Sequence, residues 1–198
     1  MGVQAGSFDD FVIAVRNDDA MTVESLLGRG FDPNTLDEKL THPLISAVQQ
    51  DSLKVATLLV RAPKTNLNQT NEADENALMM AALRGHADLV NALIEHHAQV
   101  NKTGWTPLHY AATGGHVDII RSLLEASAYI DAESPNGTTP LMMAGQYANA
   151  SAVKVLLEAG ADPTIKNQLG LSALDFANNA GRADSAAIIE AFAKGWRK

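Results

Sequence analysis

The 198-residue chain contains no cysteine. Disulfides, thiolate nucleophiles and Cys-ligated zinc are therefore excluded from its chemistry. Aromatic residues are scarce at 5%, and so are cations, with 15 Lys and Arg against 23 Asp and Glu and a formal net charge of -8. The cations are scattered from Arg16 to Lys198, and the sole tight group is Arg197-Lys198. Gripping phosphate needs clustered Lys and Arg, so no nucleic-acid partner is expected. No apolar run approaches the length of a transmembrane helix, and membrane insertion is not expected. The opening stretch MGVQAGSFDDF has neither a basic n-region nor an apolar h-region, so it does not read as a signal peptide. Met1-Gly2 fits either a native start or an added start on a trimmed chain.

What is present is an ordinary globular balance, 46% apolar and 19% charged, in a chain long enough to bury a core. Self-similarity organises it. GWTPL at 104–108 is matched by GTTPL at 137–141 and GLSAL at 170–174, each 33 residues on. Backwards from Leu108, the same register falls on Leu78, Leu44 and Phe11. Six units result, over residues 7–39, 40–73, 74–103, 104–136, 137–169 and 170–198.

Each unit opens with a turn rich in Gly, Asn, Asp and Pro. Thr-Pro-Leu or a relative follows, then a short helix with Ala at its waist, a break often written Gly-His, and a second helix ending in Leu-Leu. Thr106 can cap its helix, and Pro107 suits the first turn, where a missing N–H costs nothing. Ala111 and Ala112 keep one helix face thin, and Gly115 lets the chain reverse. Ile119, Ile120, Leu123 and Leu124 form an apolar stripe that one unit cannot bury alone but a stack can.

The motifs TPLHYA (106–111) and GADP (160–163) resemble the signatures of the ankyrin repeat, and the resemblance covers nearly the whole chain. It implies an all-α repeat solenoid. The expected architecture is one ankyrin repeat domain over 1–198, a stack of six units of helix-turn-helix plus β-hairpin fingers, with atypical end repeats. It also implies framework roles for His109, His86 and His116. Small bacterial ankyrin proteins are the nearest likeness, and some of those are exported to the periplasm and trimmed. A periplasmic location after signal removal is thus favoured, with a cytoplasmic one as the alternative.

Departures from the pattern mark candidate sites. The third-to-fourth finger, VNKTGW, is three residues short and carries Trp105, which either folds back onto a neighbouring hairpin or anchors a partner. Pro63 is expected to end a helix in a unit with one extra residue. GQYANAS alters the fifth turn, and Phe192 with Trp196 is expected to cap the last pair. The stripe Met80, Tyr110, Met143, Phe176 reads as core packing, and the adjacent His96-His97 does not read as a metal site.

No GxSxG elbow, HExxH motif or phosphate-cradling glycine loop is present, and no Cys-His pair is possible. An enzyme built on the framework histidines is the weakest reading. No cofactor and no metal is expected. The leading expectation is a non-enzymatic scaffold that recognises a protein through its concave face and fingers. Candidate contacts are Gln49, Gln50, Glu75, Leu83, Arg84, Lys102, Trp105, Thr113, Thr138, Gln146, Tyr147, Leu171 and Asn179. Leu83, Arg84, Trp105 and Tyr147 are expected to form one patch, and the acidic fingers (Asp37, Glu38, Glu72, Asp74, Glu75) to steer a basic partner. A regulatory or stress-protective accessory of an envelope enzyme is the alternative function. The chain is expected to be a monomer, with self-association through its ends as the alternative.

Overall fold

The computed structural model describes residues 5–196, so Met1-Gly2 and Arg197-Lys198 lie outside the described residues. The described residues form twelve helices and no extended strand. They pair as α1(Ala5–Arg16) with α2(Ala20–Gly28), α3(Pro43–Gln49) with α4(Leu53–Arg61), and α5(Ala77–Arg84) followed by α6(Ala87–Glu95). Then come α7(Pro107–Gly114) with α8(Val117–Glu125), α9(Pro140–Tyr147) with α10(Ala150–Glu158), and α11(Ala173–Asn179) with α12(Ala183–Gly195). Each of the six sequence repeats supplies one pair.

The chain sorts into two compact units: residues up to 81 together with 88–99, and residues 82–87 together with those from 100 onward. In the first, α1 packs on α3 and α2 on α4. Phe11, Val23, Leu44, Val55 and Leu59 are fully buried there, and the Phe11 and Phe31 rings meet at 4.5 Å. In the second, α7, α9 and α11 form one layer, and α8, α10 and α12 form the other. Leu108, Ile120, Leu123, Leu141, Leu156 and Ile189 fill the space between. The alanine waist does what its small size allows: Ala111, Ala112, Ala144 and Ala177 have no exposed surface, because neighbouring first helices lie directly against them. At Gly145 the approach is tight, since a Cβ there would sit 3.0 Å from the Ala173 carbonyl.

The fingers differ from the expected β-hairpins. Only single antiparallel bridges form, Thr70 with Asn76 and Lys166 with Ser172. Four fingers, these two included, are tight loops whose corner is closed by one backbone bond and whose arms are joined by another. The N–H of Asp37 donates to the Thr41 carbonyl, Asn71 to Glu75, Ser134 to Thr138 and Asn167 to Leu171, all at 2.9–3.0 Å. The side chain at the loop start takes up further amides. Asn167 Oδ1 accepts from Leu169 and Leu171, and Asn71 Oδ1 accepts from Ala73 and Glu75. With so few residues per arm, Asx-type turns satisfy amides that a ladder would otherwise pair.

Pro63 stands just past α4, which ends at Arg61. The fifth turn is altered as its sequence suggests: Ala148 is extended, and Asn149 caps α10 by accepting from the Ala152 N–H at 3.2 Å. At the other end α12 runs for 13 residues, and Phe192 on it and Trp196 just past its end are half-buried.

Consecutive repeats are tied by a ladder of side-chain amides. Asn34 Oδ1 accepts the Asn66 N–H at 2.7 Å, and Asn68 Oδ1 accepts that of Gln99 at 2.8 Å. In the second unit Asn101 accepts from Tyr129 at 2.8 Å, and Asp131 from Asp162 at 3.0 Å. Asn34 and Asn101 also donate, to the carbonyls of Lys64 at 2.9 Å and Ser127 at 2.8 Å. Asp131 has no amide to donate to the corresponding Gly160 carbonyl. Burial, with the nearby Asp162 charge, pushes its carboxyl above the usual range despite the Asp162 N–H bond. A raised acid opposes folding when it is ionised, so its cost is present at neutral pH and fades below the unfolded value. Asp131→Asn should therefore raise stability by about 0.5–1.5 kcal/mol at pH 7, with the gain shrinking toward pH 3.5. Chemical denaturation at the two pH values measures it, and a variant less stable than wild type at pH 7 would refute the missing-donor argument.

Candidate partner-binding surface

The framework histidines come first, because they fix what surrounds the surface. His109 has no exposed surface. Its Nδ1 accepts the Thr106 N–H at 3.1 Å and lies 2.9 Å from the Thr106 hydroxyl; Nε2 donates to the Thr138 carbonyl of the next repeat at 2.9 Å. Thr106 thus caps α7 through the His109 ring. The equivalent position in α9 is Met142, whose sulfur takes the Thr139 N–H, and in α11 it is Asp175, which takes the Ser172 N–H at 2.7 Å.

His42, at the place of the motif threonine, was not marked by the sequence pattern. It caps α3, with Nδ1 accepting from the Leu44 N–H at 3.3 Å and Nε2 donating to Asn34 Oδ1 at 3.1 Å. Burial drives both His42 and His109 down to about 4, so both are neutral at physiological pH.

Leu83, Arg84, Trp105 and Tyr147 all belong to the second unit. Leu83, at the end of α5, is 40% exposed, and Tyr147, at the end of α9, is 51% exposed. Their backbones are latched from behind. His116 Nε2 donates to the Leu83 carbonyl at 2.9 Å, while Arg182 donates to the carbonyls of Gln146 at 2.7 Å and Tyr147 at 2.9 Å. The His116 latch requires Gly114, where a Cβ would come within 2.7 Å of the Leu83 carbonyl and 2.5 Å of the His116 ring. Trp105 folds onto its own repeat: its indole meets the His109 ring edge-on, with centroids 5.2 Å apart at 75°. It stays half-exposed, so it is both braced and accessible. Aromatic groups held in this way lose little entropy on contact, which suits interface anchors.

The other candidates divide. Arg84, Gln50 and Asn179 are exposed, and Gln49, Gln146 and Leu171 are half-buried. Thr113 spends its hydroxyl on the His109 carbonyl at 2.8 Å. Lys102 reaches the Thr103 carbonyl at 3.3 Å, and Glu75 accepts from the Asn71 amide at 2.9 Å. Thr138 is only 2% exposed, so its side chain leaves the set, because the finger folds it inward next to the carbonyl that holds His109. Gln49, Gln50 and Glu75 belong to the first compact unit, and the remaining candidates to the second. Met80, Tyr110, Met143 and Phe176, expected as core, are half-buried, whereas Leu78, Leu108 and Leu141 at the preceding motif positions are fully buried. In the second unit Tyr110, Met143 and Phe176 lie on the adjacent helices α7, α9 and α11.

The family model for ankyrin repeats matches three times, over residues 11–103, 44–134 and 78–167. The chain is an ankyrin repeat protein. Solved structures of the same fold agree. An ankyrin repeat domain of Acinetobacter baumannii AYE superposes with a TM-score of 0.80 at 24% identity, covering 92% of this chain and 96% of its own. EF0377, an ankyrin repeat protein, gives 0.81 at 25% identity, over 96% of this chain and 98% of its own. A chain from the complex of the Bd0816 predatory endopeptidase of Bdellovibrio bacteriovorus with immunity protein Bd3460 gives 0.78 at 26% identity, over 92% and 97%. No protein of curated function matches the chain in sequence. Among the described residues no helix is long and apolar enough to cross a membrane.

The two buried histidines predict acid sensitivity. Each is neutral when folded and charged below pH 6.5 when unfolded, so its contribution is whole above pH 6.5 and is lost as pH falls to about 4. The loss is on the order of 3 kcal/mol per histidine. Melting temperature should fall steeply between pH 6.5 and 4. His42→Thr, which restores the Thr-Pro-Leu form, should shallow that fall and cost little at pH 7. A flat wild-type profile over this range would contradict the assignment.

Proposed function

We propose that this ankyrin repeat protein is a non-enzymatic scaffold that holds a protein partner on the second unit's first-helix surface. The observation that carries this reading is the set of braced, accessible apolar side chains: Leu83 and Tyr147 on latched helix ends, and Trp105 seated on His109. Ankyrin repeats are in general protein-binding modules, and framework roles absorb the histidines that chemistry would need. Arg84, Lys102, Gln146, Leu171 and Asn179 of the same unit serve as the rim of this surface.

A second reading has one specific support. The likeness to a chain from an endopeptidase–immunity protein complex favours a partner that is itself an enzyme, restrained or protected by binding. That reading accords with an accessory role in the cell envelope and with a periplasmic location.

The test is capture of the partner from the native host, followed by its affinity for variants. Truncating a central aromatic anchor typically costs about 2 kcal/mol or more, so Trp105→Ala with Tyr147→Ala should weaken binding by at least about 100-fold. Tyr147→Ala alone should weaken it by about 30-fold without lowering the melting temperature, because its ring is half exposed. A partner that binds the double variant as tightly as wild type would place the interface elsewhere. Measuring the captured partner's own activity with and without the scaffold separates simple tethering from restraint of an enzyme.

A further inference from the structure

The corner residue of each finger has a left-handed backbone: φ is 58° at Leu40, 60° at Asp74, 81° at Gly104, 76° at Gly137 and 74° at Gly170. Glycine takes this conformation freely and aspartate tolerates it. Leucine does neither, yet Leu40 holds it while 75% exposed. The residue opposes the fold on two counts, a strained backbone and an apolar side chain left in water. Large apolar side chains of the preceding repeat are exposed as well. Leu36 is 40% exposed and Ile13 is 55% exposed. A shallow hollow between α1, this finger and α3 is lined by Val12, Val15, Thr35, Asp37, Thr41 and Pro43. Leu36 and Leu40 are chain neighbours of Thr35 and Thr41, and Ile13 follows Val12 on α1.

The charge around these anchors has one dominant sign. Asp9 and Asp10 are exposed one turn before Ile13 on the same face of α1. Arg16, one turn after it, is spent on Asp37 at 3.1 Å. Glu38 is exposed between the two leucines, and Glu72 is exposed on the next finger of the same unit. Lys39 alone opposes them on this finger.

We propose that the α1–first-finger surface docks an amphipathic segment of a protein partner whose apolar side chains alternate with lysine or arginine. Ile13, Leu36 and Leu40 take the apolar side chains, and Asp9, Asp10 and Glu38 take the cations. A second copy of this chain is disfavoured as occupant, because its net charge of -8 sets like charge against like. The inference rests on the protein-scaffold reading, but it assigns a different unit and a defined partner chemistry.

A peptide library displayed on phage and panned against the whole chain tests it, with selected peptides then titrated against wild type, Leu40→Gly, Ile13→Ser and the Trp105→Ala/Tyr147→Ala pair. The expected result is a peptide class rich in Lys, Arg and apolar residues. Its affinity drops about tenfold or more in Leu40→Gly and in Ile13→Ser, and weakens with added salt. Leu40→Gly keeps or raises the melting temperature, so the loss is not unfolding. Selected peptides that are acidic, or that bind Leu40→Gly as tightly as wild type, overturn the inference. Peptides lost only in the Trp105/Tyr147 variant overturn it while leaving the scaffold reading intact. A library that yields no specific peptide overturns both.

Discussion

A pair of helices this short cannot cover its own apolar stripe, and the rest of the architecture follows from that constraint. Leu108, Ile120, Leu123 and Leu141 are fully buried because the neighbouring pair completes their surroundings. Hydrophobic burial is non-directional, so by itself it would let pairs slide. Register comes from polar groups placed between repeats: the Asn34, Asn68, Asn101 and Asp131 side chains on the next repeat's backbone, and the His109 ring on the Thr138 carbonyl. These bonds satisfy amides that would otherwise be left unpaired at repeat junctions.

The same division of labour frees a surface. Once the backbone at Leu83, Gln146 and Tyr147 is tied back by His116 and Arg182, the side chains there have no structural task. The fold therefore ties down the backbone that carries these side chains without using the side chains themselves. Trp105 shows the economy in one residue: its edge contact with His109 spends part of the ring on the framework and leaves the rest half-exposed.

Much of this was legible in the sequence because the 33-residue repeat makes each unit a check on the others. The helix pairs, Pro63 beyond α4, the altered turn at Ala148–Asn149 and the half-buried end residues Phe192 and Trp196 all follow from comparing units. Features that depend on partners in space did not. His42 replaces a motif threonine, and nothing in HPL alone says that its ring bridges to Asn34. Thr138 aligns with Trp105 yet points inward, because a full-length finger folds over what the clipped finger leaves open. Regular hairpins were expected where short arms instead close on Asx turns. Met80, Tyr110, Met143 and Phe176 sit between core and surface, a state that periodicity does not encode. One signal was available and unused: Leu40 stands where the other fingers have Gly or Asp.

The most direct test of the central claim is hydrogen exchange of the chain with and without its captured partner. Binding should slow exchange at the end of α5, through the 101–106 finger and at the end of α9, and leave the outer faces of α8 and α10 unchanged. Slowed exchange confined to α8 and α10 would contradict the account.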